Sequence, residues 1–293
     1  MIGRLNTLDS MKFVLLGLGN MADNREIIEE AVIEADKLGF HLALMPDHYM
    51  WGTQVQHSFK RPFSTLETWT TLTYLAGKTE KIKLGTLVTP LTLRHPAILA
   101  KMLSTLDILS KGRVVLGIGA GWITVEFKGF SEWLGDKNRV DKTVEALRLM
   151  IDLWTKPEVT HDGKYYKINK AVLEPKSIQK PYPSLLFGST GKRMLQLTGK
   201  YGSLCFIPPW ISNNRETIKN IVMEAAEKNN RRHEIAFIEG LMGANRSYDS
   251  DEYMKIVESV RSSGASYCTV GFPPDTMINS MRKFSMEVMP SFS

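Results

Sequence analysis

With 293 residues, 43% of them hydrophobic and 23% charged, the chain has the composition of a globular protein that buries a substantial core, and one domain spanning residues 1–293 is the simplest fit. Its two cysteines, Cys205 and Cys268, lie far apart without CxxC spacing, which argues against a disulfide framework or a zinc site and makes a reducing cytoplasm the expected compartment. No apolar run nears the roughly 18 residues of a membrane span, and the lysines and arginines behind the net charge of +6 are scattered, so a solvated basic surface is favoured over nucleic-acid binding.

Residues 1–11 read as a candidate flexible extension. From there, short β-rich apolar runs alternate with longer amphipathic ones, the pattern of a parallel sheet with covering helices. In chain order, strands at 13–19, 41–46, 82–88 and 113–119 are each followed by a helix, at 24–38, 65–78, 96–109 and 139–155. Strands at 184–188, 203–207, 234–241 and 267–271 follow, with helices at 190–200, 213–229, 250–263 and 275–289. Eight strands and eight helices satisfy the closure condition of an α/β (β/α)8 TIM barrel. Ser64 and Glu67 have capping-box spacing, Pro96 suits a first helical position, and Gly39 and Gly112 follow helices as stops. The irregular stretch 156–183 contains VTHDGKYYKI, which predicts a small hairpin inserted before the fifth strand.

In such barrels chemistry collects where strands run out into loops. Pro46, Asp47, His48 and Tyr49 follow the second strand, with Trp51 close behind. A DH pair after a strand is also consistent with an idle loop, but this placement makes His48 the leading acid or base, because imidazole titrates near neutrality. Asp47 is then expected to orient its ring or to bond a cofactor. Thr86, Leu87, Val88 and Thr89 close the third strand and read most simply as strand turning into loop; Arg94 reads as a structural charge. Gly117, Gly119 and Gly121 form a GxGxG run that lacks the rest of a dinucleotide fingerprint, and close approach of the backbone to a flat ring is favoured over a mere turn. FGSTGK at 187–192 is no P-loop, yet hydroxyls, a lysine and backbone N–H groups at a helix start can hold an anion; a capped surface loop is the competing reading. The six histidines show no metal-ligand spacing, so no metal is expected, and no GxSxG supports a serine nucleophile.

PDHY at 46–49, LGTLVTPLTLRHPAILAK at 84–101, TLDILSKGRVVLGIGAGW at 105–122 with Glu126 and Phe127 after it, Arg139, and the ending FSMEVMPSF together resemble the bacterial luciferase-like superfamily, and within it the oxidoreductases that use the deazaflavin coenzyme F420. The resemblance runs from Lys12 to Phe292. It implies a barrel with a flavin or deazaflavin across its carboxyl end, a small-molecule substrate and a homodimer. By motif position Asp47 and Thr89 look like cofactor contacts and His48 like the proton donor; the Leu87–Val88 peptide matches a non-proline cis bond behind the ring, with Thr86 beside it. Ala120 and Gly121 would pass beneath the ring, and Gly188, Ser189, Thr190, Gly191 and Lys192, with Met194, would receive the phosphate end. Where sugar-phosphate dehydrogenases of this branch carry a catalytic glutamate, this chain has Trp122. With Trp51 and Trp210 it suggests a pocket for a bulky apolar or conjugated substrate. The expected activity is hydride transfer between F420 and an organic substrate. An FMN-dependent monooxygenase and a non-enzymatic cofactor-binding barrel are the alternatives.

Overall fold

In the computed structural model, which describes residues 10–19, 21–55, 58–243 and 247–293, the first apolar run forms β1 (Lys12–Leu15) and the amphipathic run after it α1 (Arg25–Leu38). The chain continues through β2 (Leu42–Met45), a hairpin of β3 (Trp51–Val55) and β4 (Ser58–Phe63), α2 (Thr68–Ala76), β5 (Lys83–Thr86), the two-residue β6 (Thr89–Pro90), α3 (Pro96–Leu109) and β7 (Val114–Gly119). Next come α4 (Thr124–Phe130), α5 (Gly135–Thr155), a second hairpin of β8 (Val159–Asp162) and β9 (Lys167–Ala171), then β10 (Ser184–Phe187) and α6 (Lys192–Tyr201). The last units are β11 (Leu204–Phe206), α7 (Arg215–Glu227), β12 (Ala236–Gly240), α8 (Ser250–Ser262), β13 (Tyr267–Val270) and α9 (Met277–Glu287).

Eight of these strands pair in parallel in the order β1, β2, β5, β7, β10, β11, β12, β13, and β13 returns to β1, so the sheet closes as the expected (β/α)8 barrel. Alternate side chains divide the core into two layers. Val14, Leu16, Leu42, Leu44, Val115 and Ile238 fill the lumen. Phe13, Leu15, Ala43, Met45, Leu84 and Leu116 face the helices. Burial on both faces explains why these strands read as unbroken apolar runs.

Pro96 opens α3 as predicted, and Gly39 ends α1 in the left-handed region at φ 85°. The capping-box reading of Ser64 and Glu67 is corrected: α2 begins at Thr68, and Glu67 is itself the cap, accepting from the Thr70 amide at 2.6 Å. The preceding residues go into the β3–β4 hairpin, which the sequence reading did not foresee. The inserted hairpin does form, and Glu145 of α5 holds it by accepting from the amides of Tyr165 and Tyr166 at 2.9 and 2.8 Å. Of the predicted extension, residues 1–9 lie outside the described residues, whereas Met11 is buried and donates its amide to Phe292 O at 2.8 Å. Cys205 and Cys268 are buried among apolar neighbours, and burial pushes both thiols up to about 12. Among the described residues no helix is long and apolar enough to cross a membrane.

Candidate functional site

The loop after β2 carries two ionisable residues in sequence, and the structure separates them completely. Asp47 turns inward and is 1% exposed. Arg94 grips it with two bonds, Nη1 to Oδ2 at 2.6 Å and Nη2 to Oδ1 at 2.8 Å, and Thr89 Oγ1 donates to Oδ2 at 2.7 Å. The hydroxyl of Thr89 in turn accepts from Trp69 Nε1 at 3.1 Å and lies 3.0 Å from that of Thr86. Arg94 also pairs with Glu67 and stacks 4.6 Å over the ring of Tyr49. Burial works against the Glu67 carboxylate, but donors from Thr70 and Arg94 hold it below the ordinary range, while burial pushes the Tyr49 phenol up to about 12. Asp47, Thr86 and Thr89 are thus joined with Arg94 and Trp69 in one buried hydrogen-bonded network. The structural reading of Arg94 agrees with this geometry.

His48 points the other way and is held by a different carboxylate from the one expected. Its Nδ1 lies 3.0 Å from Glu126 Oε2, and Glu126 Oε1 accepts from the amides of Tyr49 at 2.6 Å and Met50 at 3.1 Å. Glu126, 1% exposed, comes from α4, a short helix with no counterpart among the elements expected from the sequence. The expectation that Asp47 orients His48 is thus corrected, because both its oxygens are already engaged by Arg94 and Thr89. Trp122, 57% exposed, meets the His48 ring edge-on, with centroids 6.3 Å apart and planes at 86°.

Flanked by Thr86 and Thr89, the Leu87–Val88 peptide is cis, as the resemblance implies. It is seated on glycines. A Cβ on Gly119 would fall 2.3 Å from Val88 Cγ2, and one on Gly188 would fall 2.9 Å from Val88 Cγ1. Gly121 has φ 76°, and a Cβ there would come within 2.3 Å of the Phe127 ring. Gly119 and Gly121 thus make room for side chains of this chain, Val88 and Phe127. Ala120 stays half-buried at the rim.

Over the Leu87 side of this shelf opens a cavity of about 250 Å³, lined by Leu16, Gly17, Met21, Pro46, Leu87 and Met242 from loops after β1, β2, β5 and β12. All of these loops leave the carboxyl ends of barrel strands. The segment from Gly188 to Lys192 leaves β10 at the same end; Thr190, Gly191 and Lys192 are exposed there, and Gly191 caps α6 without a side-chain bond, leaving first-turn amides available to an anion. Met194 lies in that first turn, with its side chain buried against the barrel wall. Trp210 is 68% exposed in the turn after β11. Trp51 opens β3, and its side chain lies outside what is described, as does His57.

A (β/α)8 barrel with a histidine, a cis-peptide shelf and an apolar cavity at its carboxyl mouth defines a class of small-molecule enzymes. The family model described as luciferase-like monooxygenase matches residues 13–255, and the chain belongs to that family. Among relatives, the F420-dependent glucose-6-phosphate dehydrogenase of Gordonia bronchialis is 30% identical over 240 residues, covering 80% of this chain and 68% of that one. The FMNH(2)-dependent dimethylsulfone monooxygenase of Pseudomonas putida is 26% identical over 190 residues, 64% of this chain and 48% of that one. A solved F420-dependent secondary alcohol dehydrogenase, in complex with an F420-acetone adduct, shares the fold with a TM-score of 0.81 at 20% identity, covering 97% of this chain and 99% of its own.

Proposed function

We propose that the protein is an F420-dependent oxidoreductase that transfers a hydride between the deazaflavin and an apolar organic substrate, an alcohol or its carbonyl partner, with His48 moving the accompanying proton. The observation that carries this reading is the convergence, on one barrel mouth, of His48, the glycine-seated Leu87–Val88 shelf and the apolar cavity. A flat apolar shelf suits a planar ring, and the exposed helix start after Gly188 suits its phosphate, so the residues fit the cofactor. When bound, the deazaflavin supplies a two-electron hydride carrier. The chain's own residues do the remainder: Gly188 to Lys192 hold the anionic end, Leu87 and Val88 support the ring, the apolar lining excludes water, and His48 takes the proton from the substrate hydroxyl or returns it. Trp122 and, among the described residues, the lack of charged groups lining the cavity support an apolar substrate over a sugar phosphate. Trp51 and Trp210 are proposed to extend that surface.

The family's description and the dimethylsulfone monooxygenase relative favour a second reading, FMN-dependent oxygenation. Equilibrium titration with each cofactor separates the two: F420 is expected to bind at least a hundredfold tighter than FMN, and the reverse order selects the oxygenase. Turnover is expected with a panel of 2-propanol, cyclohexanol and 1-phenylethanol but not with glucose 6-phosphate. His48→Ala should lower kcat by roughly 10²–10⁴, the usual range for a general acid or base. Unchanged turnover in that variant removes His48 from the chemistry. A homodimer, as the resemblance implies, is part of the proposal.

A further inference from the structure

We propose that Glu126 is a positioning residue that fixes both the aim and the proton-bearing nitrogen of His48. The inference rests on the reading of His48 as the proton-transfer group. It starts from an economy of contacts: one buried carboxylate reaches back from α4 to the β2 loop and satisfies the two amides that directly follow His48, at 2.6 and 3.1 Å, together with the imidazole itself at 3.0 Å. A lone bond to Nδ1 would leave the ring free to swing with its loop. Three bonds to one carboxylate, itself packed at 1% exposure, lock loop backbone and ring to a single frame.

The chemistry of the partner then settles the tautomer. An ionised carboxylate has acceptors only, so Nδ1 must be the donor. In the neutral ring the remaining proton therefore sits on Nδ1, and the basic lone pair is on Nε2, which is the nitrogen that exchanges with substrate. In the reducing direction the imidazolium gives its Nε2 proton to the substrate oxygen as the hydride arrives at the adjacent carbon. The ring returns to its neutral Nδ1–H form, and Glu126 keeps its charge throughout. In the oxidising direction the same proton runs back. Asp47, the carboxylate adjacent in sequence, is unsuited to this role because Arg94 and Thr89 engage both its oxygens.

Glu126→Gln tests the assignment without removing the backbone bonds. Its amide oxygen can still accept from Tyr49 and Met50, but its NH2 would donate to Nδ1 and drive the proton to Nε2, placing the lone pair on the wrong nitrogen. In protein labelled with 15N-histidine and free of ligand, the wild-type His48 ring is expected to be protonated at Nδ1 and the E126Q ring at Nε2. F420 affinity should stay within about threefold. With the fastest alcohol of the panel, kcat should fall by roughly 10²–10⁴ while KM stays within about threefold, the pattern of a wrongly oriented or wrongly protonated base. A wild-type ring protonated at Nε2 overturns the proposal, and so does E126Q turning over at the wild-type rate. Should E126Q fail to fold, the wild-type tautomer alone still decides. Full activity in H48A is a separate outcome that defeats the reading of His48, whichever nitrogen Glu126 holds.

Discussion

Two aspartate or glutamate residues within reach of one loop carry opposite duties here, and only their partners distinguish them. Asp47 was legible as a polar residue at a strand end, but its engagement by Arg94, 47 positions away, was not; Glu126 lies 78 positions from His48, and no local pattern joins them. Residue identity at a strand terminus shows that chemistry is available, whereas the contacts that tune it are long-range. The same holds at the other end of the barrel, where His41 sits beside Tyr267 with centroids 5.4 Å apart, faced by Lys83 and Lys12. Burial first, then those two cations, push its pKa down to about 4. An unfolded histidine titrates near 6.5. Between about pH 6.5 and 4 the unfolded chain therefore binds a proton that the native ring refuses, and stability falls as pH drops through that window. Urea midpoints measured from pH 7 to 4.5 should decline less steeply in His41→Phe than in wild type; parallel slopes would remove His41 from the balance.

The eight barrel strands were readable because strands buried on both faces appear as apolar runs, and the runs overshoot the paired segments for a physical reason. Leu16, Leu18, Leu87 and Val88 continue the apolar sequence beyond the last residues of β1 and β5, and Leu16 and Leu87 go on to line the mouth. Elements with short or mixed signals were missed. Strands β3 and β4 alternate only weakly in sequence, and α4, seven residues long, spans about two helical turns. That short helix nonetheless delivers Glu126 to the histidine. At this scale the seating of β7 against the Leu87–Val88 segment makes a prediction. Gly119→Ala places a methyl 2.3 Å from Val88 Cγ2, so the side chain must move. The protein should still fold, losing about 1–3 kcal/mol as overpacked sites do, while F420 binding weakens roughly tenfold or more. Unaltered affinity would show that the shelf does not support the ring.

Across the whole molecule the helices present one face that the barrel leaves uncovered. Between α2 and α3 a groove of about 400 Å³ is lined by Trp69, Ile98, Met102, Leu106 and Leu109, with Ile98 and Leu109 61% and 66% exposed. A contiguous apolar face of this kind suits a second copy related by two-fold symmetry. Sedimentation is expected to give a dimer that the double change Ile98→Glu and Leu109→Glu converts to monomer, and a monomeric wild type would count against it. The depth of Cys205 and Cys268 has a practical corollary. Thiols buried in apolar surroundings with so little thiolate at neutral pH resist alkylation. The native protein thus offers a silent background for site-directed labelling, in which a cysteine introduced at Met242 or Trp210 would carry a fluorophore on the rim and report occupancy of the entrance in real time.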